Sequence, residues 1–282
     1  MDEIKTSDIS AENRAEILNI IENFRLMDDT FMSKVFEDKA CAELLLRVIL
    51  NRDDLTVVRV VSQFELKNLQ GRSARLDIYA IDEHGKQYDV EVQRSDDGAA
   101  SRRARYNSSL LDANLLNPGD KFDELPESYI IFITEHDVLK GGKPLYTVNR
   151  TISELDHAIF TDGSHIIYVN GEIRNGTALG ELMQDFFCKD PREMHYKVLS
   201  DRAGYFKKDK EGVDTMCKLM EDYADKRARQ AAEAAAEKAA KERSISIATN
   251  LWNKGERDLQ QIADLTDLPL DEVKKLFEGK TA

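Results

Sequence analysis

One stretch, Gly71 to Gln93 (GRSARLDIYAIDEHGKQYDVEVQ), limits the folds open to this chain more than any other. It reads as two strands, Leu76 to Ile81 and Gln87 to Gln93, around Glu83-His84-Gly85. That connector has the length of a three-residue hairpin loop, with Gly85 where a positive φ is needed. Asp77, Tyr79 and Ile81 then share one face of their strand, and Asp89, Glu91 and Gln93 share one face of theirs. Tyr88, Val90 and Val92 form the apolar face. A turn centred on His84 sets Asp77 opposite Glu91, whereas a two-residue turn at His84-Gly85 shifts the pairing by one. Carboxylates directly opposed lie about 4.5–5.5 Å apart at Cβ and destabilise a sheet unless a cation sits between them. A hard divalent cation, held by one or two carboxylates and by phosphate oxygens, relieves that conflict.

The flanking segments fit a mixed α/β domain. A lead-in helix is expected over Ala11–Phe24. Asp28 or Asp29 then caps a short helix holding Phe31, Met32, Val35 and Phe36, and Asp38 caps a helix over Lys39–Leu50. Thr56–Leu69 is rich in β-branched residues and reads as a strand. Ala99–Leu116 reads as a helix on which Arg102, Arg105 or Tyr106, and Ser109 share a face. Beside a carboxylate cluster, such a stripe is suited to gripping phosphates, and docking through Tyr106 and Leu110 is the plainer alternative. SYIIFITE, from Ser128 to Glu135, has the continuous apolar character of a central strand buried on both faces. Leu145–Arg150 and Ser164–Asn170 read as strands, and Thr177–Phe187 as a helix.

Asp77 followed by Glu91-Val92-Gln93 resembles the Asp…Glu-x-Lys core of the PD-(D/E)XK nucleases, with Gln93 in the lysine's place. The GRSARLD…VEVQ blocks, the RRARYNSSLLD helix and the PESYIIFITE strand resemble, more closely, the PD-(D/E)XK nuclease-family transposases, the Rpn-type recombination-promoting nucleases. The likeness runs from about Asp28 to about Phe187. It implies a restriction-endonuclease-like α-β-β-β-α-β core, a mixed sheet flanked by helices, with a helical C-terminal tail. It also implies Mg²⁺-dependent (or Mn²⁺-dependent) hydrolysis of DNA, with Asp77 and Glu91 as metal ligands and Gln93 as a neutral third member. Glu43, on the first core helix, is the further catalytic candidate, with Glu37 in reserve. Because Gln93 carries no charge, another cation has to help, Arg75 or Arg102, with Arg105 and Tyr106 as further phosphate contacts.

A net charge of −13 speaks against a generally basic nucleic-acid binder and leaves room for a local positive rim. No secretory signal or spanning run is evident, and three widely spaced cysteines fit reduced thiols, so a cytoplasmic protein is expected. The expected organisation is a lead-in over 1–27, a nuclease-like domain over 28–190, and a charged segment with a long alanine-rich helix over 191–243. A small helix-turn-helix-like tail over 244–282 follows. The alanine-rich helix is either a solvated connector or, with the tail, a homodimer contact. The rival to a DNA endonuclease that promotes recombination is a catalytically inactive, DNA-associated or protein-interaction module on a nuclease scaffold.

Overall fold

A computed structural model describes residues 14–68 and 71–278, and the chain forms two compact units, Met1–Lys218 and Leu219–Ala282. In the first unit, residues 14–23 are helical (α1), and the start of the expected lead-in helix lies outside the described residues. Helix α2 (Asp29–Val35) and helix α3 (Lys39–Leu50) follow. Asp38 caps α3 by accepting the backbone N–H groups of Ala40 and Cys41. The Asp28 carboxylate serves no helix cap and instead takes the Arg25 N–H and the Arg94 guanidinium.

Three strands come next, β1 (Val57–Leu66), β2 (Ala74–Asp82) and β3 (Gln87–Gln93). Helix α4 (Ser101–Ala113) leads into β4 (Ser128–Thr134). The chain continues through β5 (Leu145–Val148), a small hairpin of β6 (Thr151–Ile152) and β7 (Ala158–Ile159), and β8 (Ser164–Asn170). The main sheet has the order β1-β2-β3-β4-β8-β5. β1, β2 and β3 run antiparallel to their neighbours in turn, β3, β4 and β8 are parallel, and β5 returns antiparallel on β8. This is the expected mixed α/β sheet, with α3-β1-β2-β3-α4-β4 as its core order.

Position in the sheet explains composition. β4 lies between two parallel neighbours, and Ile130, Ile131, Phe132 and Ile133 are all fully buried. Each contributes about 2 kcal/mol of burial. Leu76, Tyr79, Ile130, Phe132 and Tyr168 pack with Ala104, Leu110 and Leu111 of α4.

Helix α5 (Ala178–Phe187) is capped by the Thr177 hydroxyl, which accepts the Gly180 N–H. The expected polar segment after Pro191 instead holds an amphipathic helix, α6 (Lys197–Lys208), which buries Leu199, Ala203 and Phe206. Its Lys207 is buried too. The ammonium donates to the backbone carbonyls of Glu22, Phe24 and Lys189 and lies 5.1 Å from the centre of the Phe31 ring. Burial pushes its pKa down to about 8.

Helix α7 (Lys210–Asn253) is one continuous element, and residues 221–240, which include its alanine-rich middle, are exposed throughout. In the second unit, α8 (Leu259–Thr266) and α9 (Leu270–Phe277) close a small core of Ala248, Trp252, Ile262, Ala263, Leu268, Val273 and Phe277. Trp252 and Phe277 stack with ring centroids 4.4 Å apart.

Candidate active site

The site grows out of the β2–β3 hairpin. Gly85 has φ 79°, as the three-residue loop requires. The Asp82 carboxylate fixes the loop by accepting the N–H groups of His84 and Lys86, while its other oxygen takes the Tyr88 hydroxyl at 2.8 Å. That geometry sets the pairs Ile81–Gln87, Ala80–Tyr88, Tyr79–Asp89 and Ile78–Val90. This is the register of a turn centred on His84, and it brings Asp77 and Glu91 to adjoining positions just past the last pair. There the backbone ladder gives way to a side chain, because the Val92 N–H donates to Asp77 Oδ2 at 3.1 Å.

Asp77, Asp89 and Glu91 are all buried, the last two completely. Burial pushes Asp77 up to about 6, with the charge of Asp29 adding to it. Burial and then the Asp77 charge push Glu91 up to about 8, against the pull of Arg103. Burial, then Glu91 and Asp77, hold Asp89 well above the usual carboxylate range. Crowded carboxylates in a dry pocket thus resist ionising together.

Helix α4 supplies their polar partners. Arg103 Nη2 lies 2.5 Å from Glu91 Oε2, and its Nη1 donates to Gln93 Oε1 at 3.3 Å and to the Gly98 carbonyl at 3.0 Å. One turn on, Asn107 Nδ2 reaches Asp89 Oδ2 at 3.3 Å and Glu91 Oε1 at 3.5 Å. Gln93 Nε2 donates to Glu91 Oε2 at 3.1 Å. Asp89 Oδ1 is buried and has no hydrogen-bond partner. Neither Arg103 nor Asn107 is on the arginine–tyrosine stripe read from the sequence.

The other expected residues make contacts of their own. Glu43 accepts the Val57 N–H at 2.9 Å and pairs with Arg47 at 2.9 Å, which ties α3 to the start of β1. Glu37 takes Lys34 and the Ser62 hydroxyl. The acid of the N-terminal helices whose charge acts on Asp77 is Asp29, which accepts the Gln63 side-chain amide. Gln63 sits between the pairs Ser62–Ile78 and Phe64–Leu76, beside Asp77, with φ 54°. Among the described residues it is the one non-glycine residue inside a strand with positive φ, a conformation held against its own preference by its surroundings.

Arg75, Arg102, Arg105 and Tyr106 are exposed. Tyr106 donates to the Arg72 carbonyl and, with Lys67, Asn68 and Ser109, lines an open groove of about 580 Å³. Lys67, Arg72, Arg75, Arg102 and Arg105 make no ion pair among the described residues. Of these cations, Lys67 lines the groove.

A family model described as PD-(D/E)XK nuclease family transposase matches residues 32–177, which takes in α3, the hairpin, α4, β4 and β8. The chain belongs to that family. No curated protein and no solved structure matches it. Membership in the PD-(D/E)XK nuclease-family transposases carries a nuclease-type function, with DNA as the substrate class and divalent metals as the usual cofactors.

Among the described residues, no group of three or more His, Cys, Asp or Glu is placed to hold a metal ion. A divalent ion of the Mg²⁺ kind needs less, since one or two carboxylates suffice when water and phosphate oxygens complete its shell. Asp77 and Glu91 offer hard oxygen donors, and their upward-shifted pKa values mark a site where added positive charge is favourable. The residues present fit such an ion. Among the described residues no helix is long and apolar enough to cross a membrane.

Proposed function

We propose that this protein is a metal-dependent DNA endonuclease whose strand breaks promote recombination or transposition-like events. The observation that carries the reading is the buried group of Asp77 and Glu91, just past the last β2–β3 pair, and Asp89, in the ladder opposite Tyr79, inside the matched family region. In this reading Asp77 and Glu91 hold Mg²⁺ or Mn²⁺, which when bound polarises the scissile phosphate and lowers the pKa of a coordinated water.

The chain's own residues do the rest. Asp89, beneath Glu91, keeps negative charge in the pocket low by resisting ionisation, and Asn107 ties both carboxylates to α4. Gln93 orients Glu91 through its amide N–H and offers its amide oxygen to Arg103. The exposed Lys67, Arg72, Arg75, Arg102 and Arg105 are the cations that would hold the DNA backbone through its phosphates, which gives affinity without sequence preference. Hydrolysis adds the water oxygen to phosphorus as the bond to the leaving sugar oxygen breaks. The water's proton passes to solvent and the leaving oxygen takes one up.

The test is nicking of supercoiled plasmid in Mg²⁺ or Mn²⁺ by the wild type and by Glu91→Ala, with EDTA as the metal-free arm. The expected result is wild-type nicking that both EDTA and the substitution abolish. Equal nicking by the two proteins would refute the assignment. The neutral Gln93 favours a second reading, an inactive DNA-associated module, and the same assay separates the two: DNA retained by the wild type with no nicking in either metal supports the module.

A further inference from the structure

The site holds three acids and a neutral Gln93, while phosphodiester hydrolysis builds negative charge on the phosphate oxygens and calls for a fixed positive charge there. We propose that Arg103 supplies it, as the catalytic cation that grips the non-bridging oxygens of the scissile phosphate. This inference rests on the nuclease reading and extends it to a residue of α4.

Three observations converge on Arg103. First, its position spans the boundary of the pocket. Its side chain is 39% exposed while its partner Glu91 is 0% exposed, so the guanidinium reaches from a buried carboxylate out to solvent. Second, its donors are only partly used. Nη1 serves Gln93 and Gly98, and Nη2 serves Glu91, which leaves Nε–H and one Nη2 hydrogen without a partner among the described residues. A guanidinium presents its N–H groups as a planar fork that matches phosphate oxygens.

Third, the fork is held in place. The Gly98 carbonyl and the Gln93 amide oxygen fix one nitrogen, and Glu91 fixes another. Residue 98 is glycine, and a Cβ added there would stand 2.1 Å from Gln93 Oε1, so a larger residue would have to displace that amide. Gln93 then acts as a spacer, a neutral group whose oxygen receives the guanidinium and adds no second cation. Arg103 transfers no proton at any stage. It stays charged throughout and stabilises the transition state by hydrogen bonds that strengthen as charge moves onto the phosphate oxygens.

The test uses the full chain. Wild type, Glu91→Ala, Arg103→Gln and Arg103→Lys are compared for plasmid nicking in Mn²⁺, for Mn²⁺ binding by titration calorimetry, and for thermal unfolding. Arg103→Gln should keep its fold and lose about 10²–10³-fold in kcat, the scale of one removed transition-state donor, with KM near wild type. Its Mn²⁺ affinity should stay level or rise, because Glu91 is freed of a competing cation. Arg103→Lys, which keeps the charge without the fork, should recover part of the rate.

Wild-type kcat in a folded Arg103→Gln would overturn the proposal. So would loss of Mn²⁺ binding in that variant, since Arg103 would then only be positioning Glu91. If Arg103→Gln does not fold, the Lys variant decides: partial rate with intact Mn²⁺ binding supports the proposal, and full rate or lost binding overturns it. Absence of nicking by the wild type itself would remove the nuclease reading, and Arg103's catalytic role with it, whatever the variants do.

Discussion

Glu91→Gln isolates the electrostatics of the site from its chemistry. The native carboxyl titrates near 8 and the unfolded one near 4.5. Across that window the folded protein holds a proton that the unfolded chain releases. A native pKa raised in this way gives stability that is complete below pH 4.5 and is lost as pH rises through about 8. Glutamine has nearly the same shape and does not titrate. The variant should therefore gain on the wild type by about 1.4 kcal/mol per pH unit inside the window, or about 3 kcal/mol between pH 5 and pH 7. Urea unfolding of both proteins in EDTA at several pH values measures the difference directly, with the m-values checked for constancy. A difference that stays flat with pH, or turns against the variant as pH rises, would refute the reasoning. It would mean that Glu91 is ionised in the fold and that Arg103 neutralises it fully.

Asp38→Ala removes the acceptor for the Ala40 and Cys41 N–H groups at the start of α3 and should cost about 1 kcal/mol by urea unfolding. Lys207→Met leaves the carbonyls of Glu22, Phe24 and Lys189 without their shared donor and should cost about 3 kcal/mol in the same measurement, more than an ordinary surface lysine. Replacing Arg102 and Arg105 together by glutamine should reduce the slope of log affinity against log salt by about 2 for metal-free binding to duplex DNA, read by fluorescence anisotropy. An unchanged slope would take both residues out of the DNA contact.

The hairpin was legible because its loop chemistry is local. Gly85 in Glu83-His84-Gly85 marks the turn, and of the two registers open to it the structure takes the one centred on His84. The central strand β4 was legible because four consecutive large apolar residues, Ile130 to Ile133, suit a strand covered on both faces. The phase of α4 was harder to read. With arginine at 102, 103 and 105, charge gives no contrast around the helix, and the stripe through Arg102 and Tyr106 lies on the exposed side. The signal that fixes the phase is the small and apolar series Ala104, Ser108 and Leu111, which flanks Arg103 and Asn107 with the buried face. Helix α6 was hidden in the same way, since five charged side chains from Lys197 to Lys208 mask Leu199, Ala203 and Phe206 at helical spacing. Glu43 has helical phase suited to several partners. What engages it is the free N–H at the start of β1, which no sequence pattern announces.

The antiparallel ladder between β2 and β3 runs from Ile81–Gln87 to Ile78–Val90 and ends there, one step before Asp77 and Glu91. Fold and chemistry are thus written on different residue pairs of one hairpin. For the lineage of such a chain, this separation has a direction. A substitution that neutralises Glu91 leaves the pairing and the loop untouched and relieves crowding among the acids, so loss of the acid is favourable for folding. Drift alone would carry copies of this protein toward stable, silent descendants. A copy that keeps Asp77, Asp89 and Glu91 together does so against the preference of its own fold, and only a use for the site can hold it there.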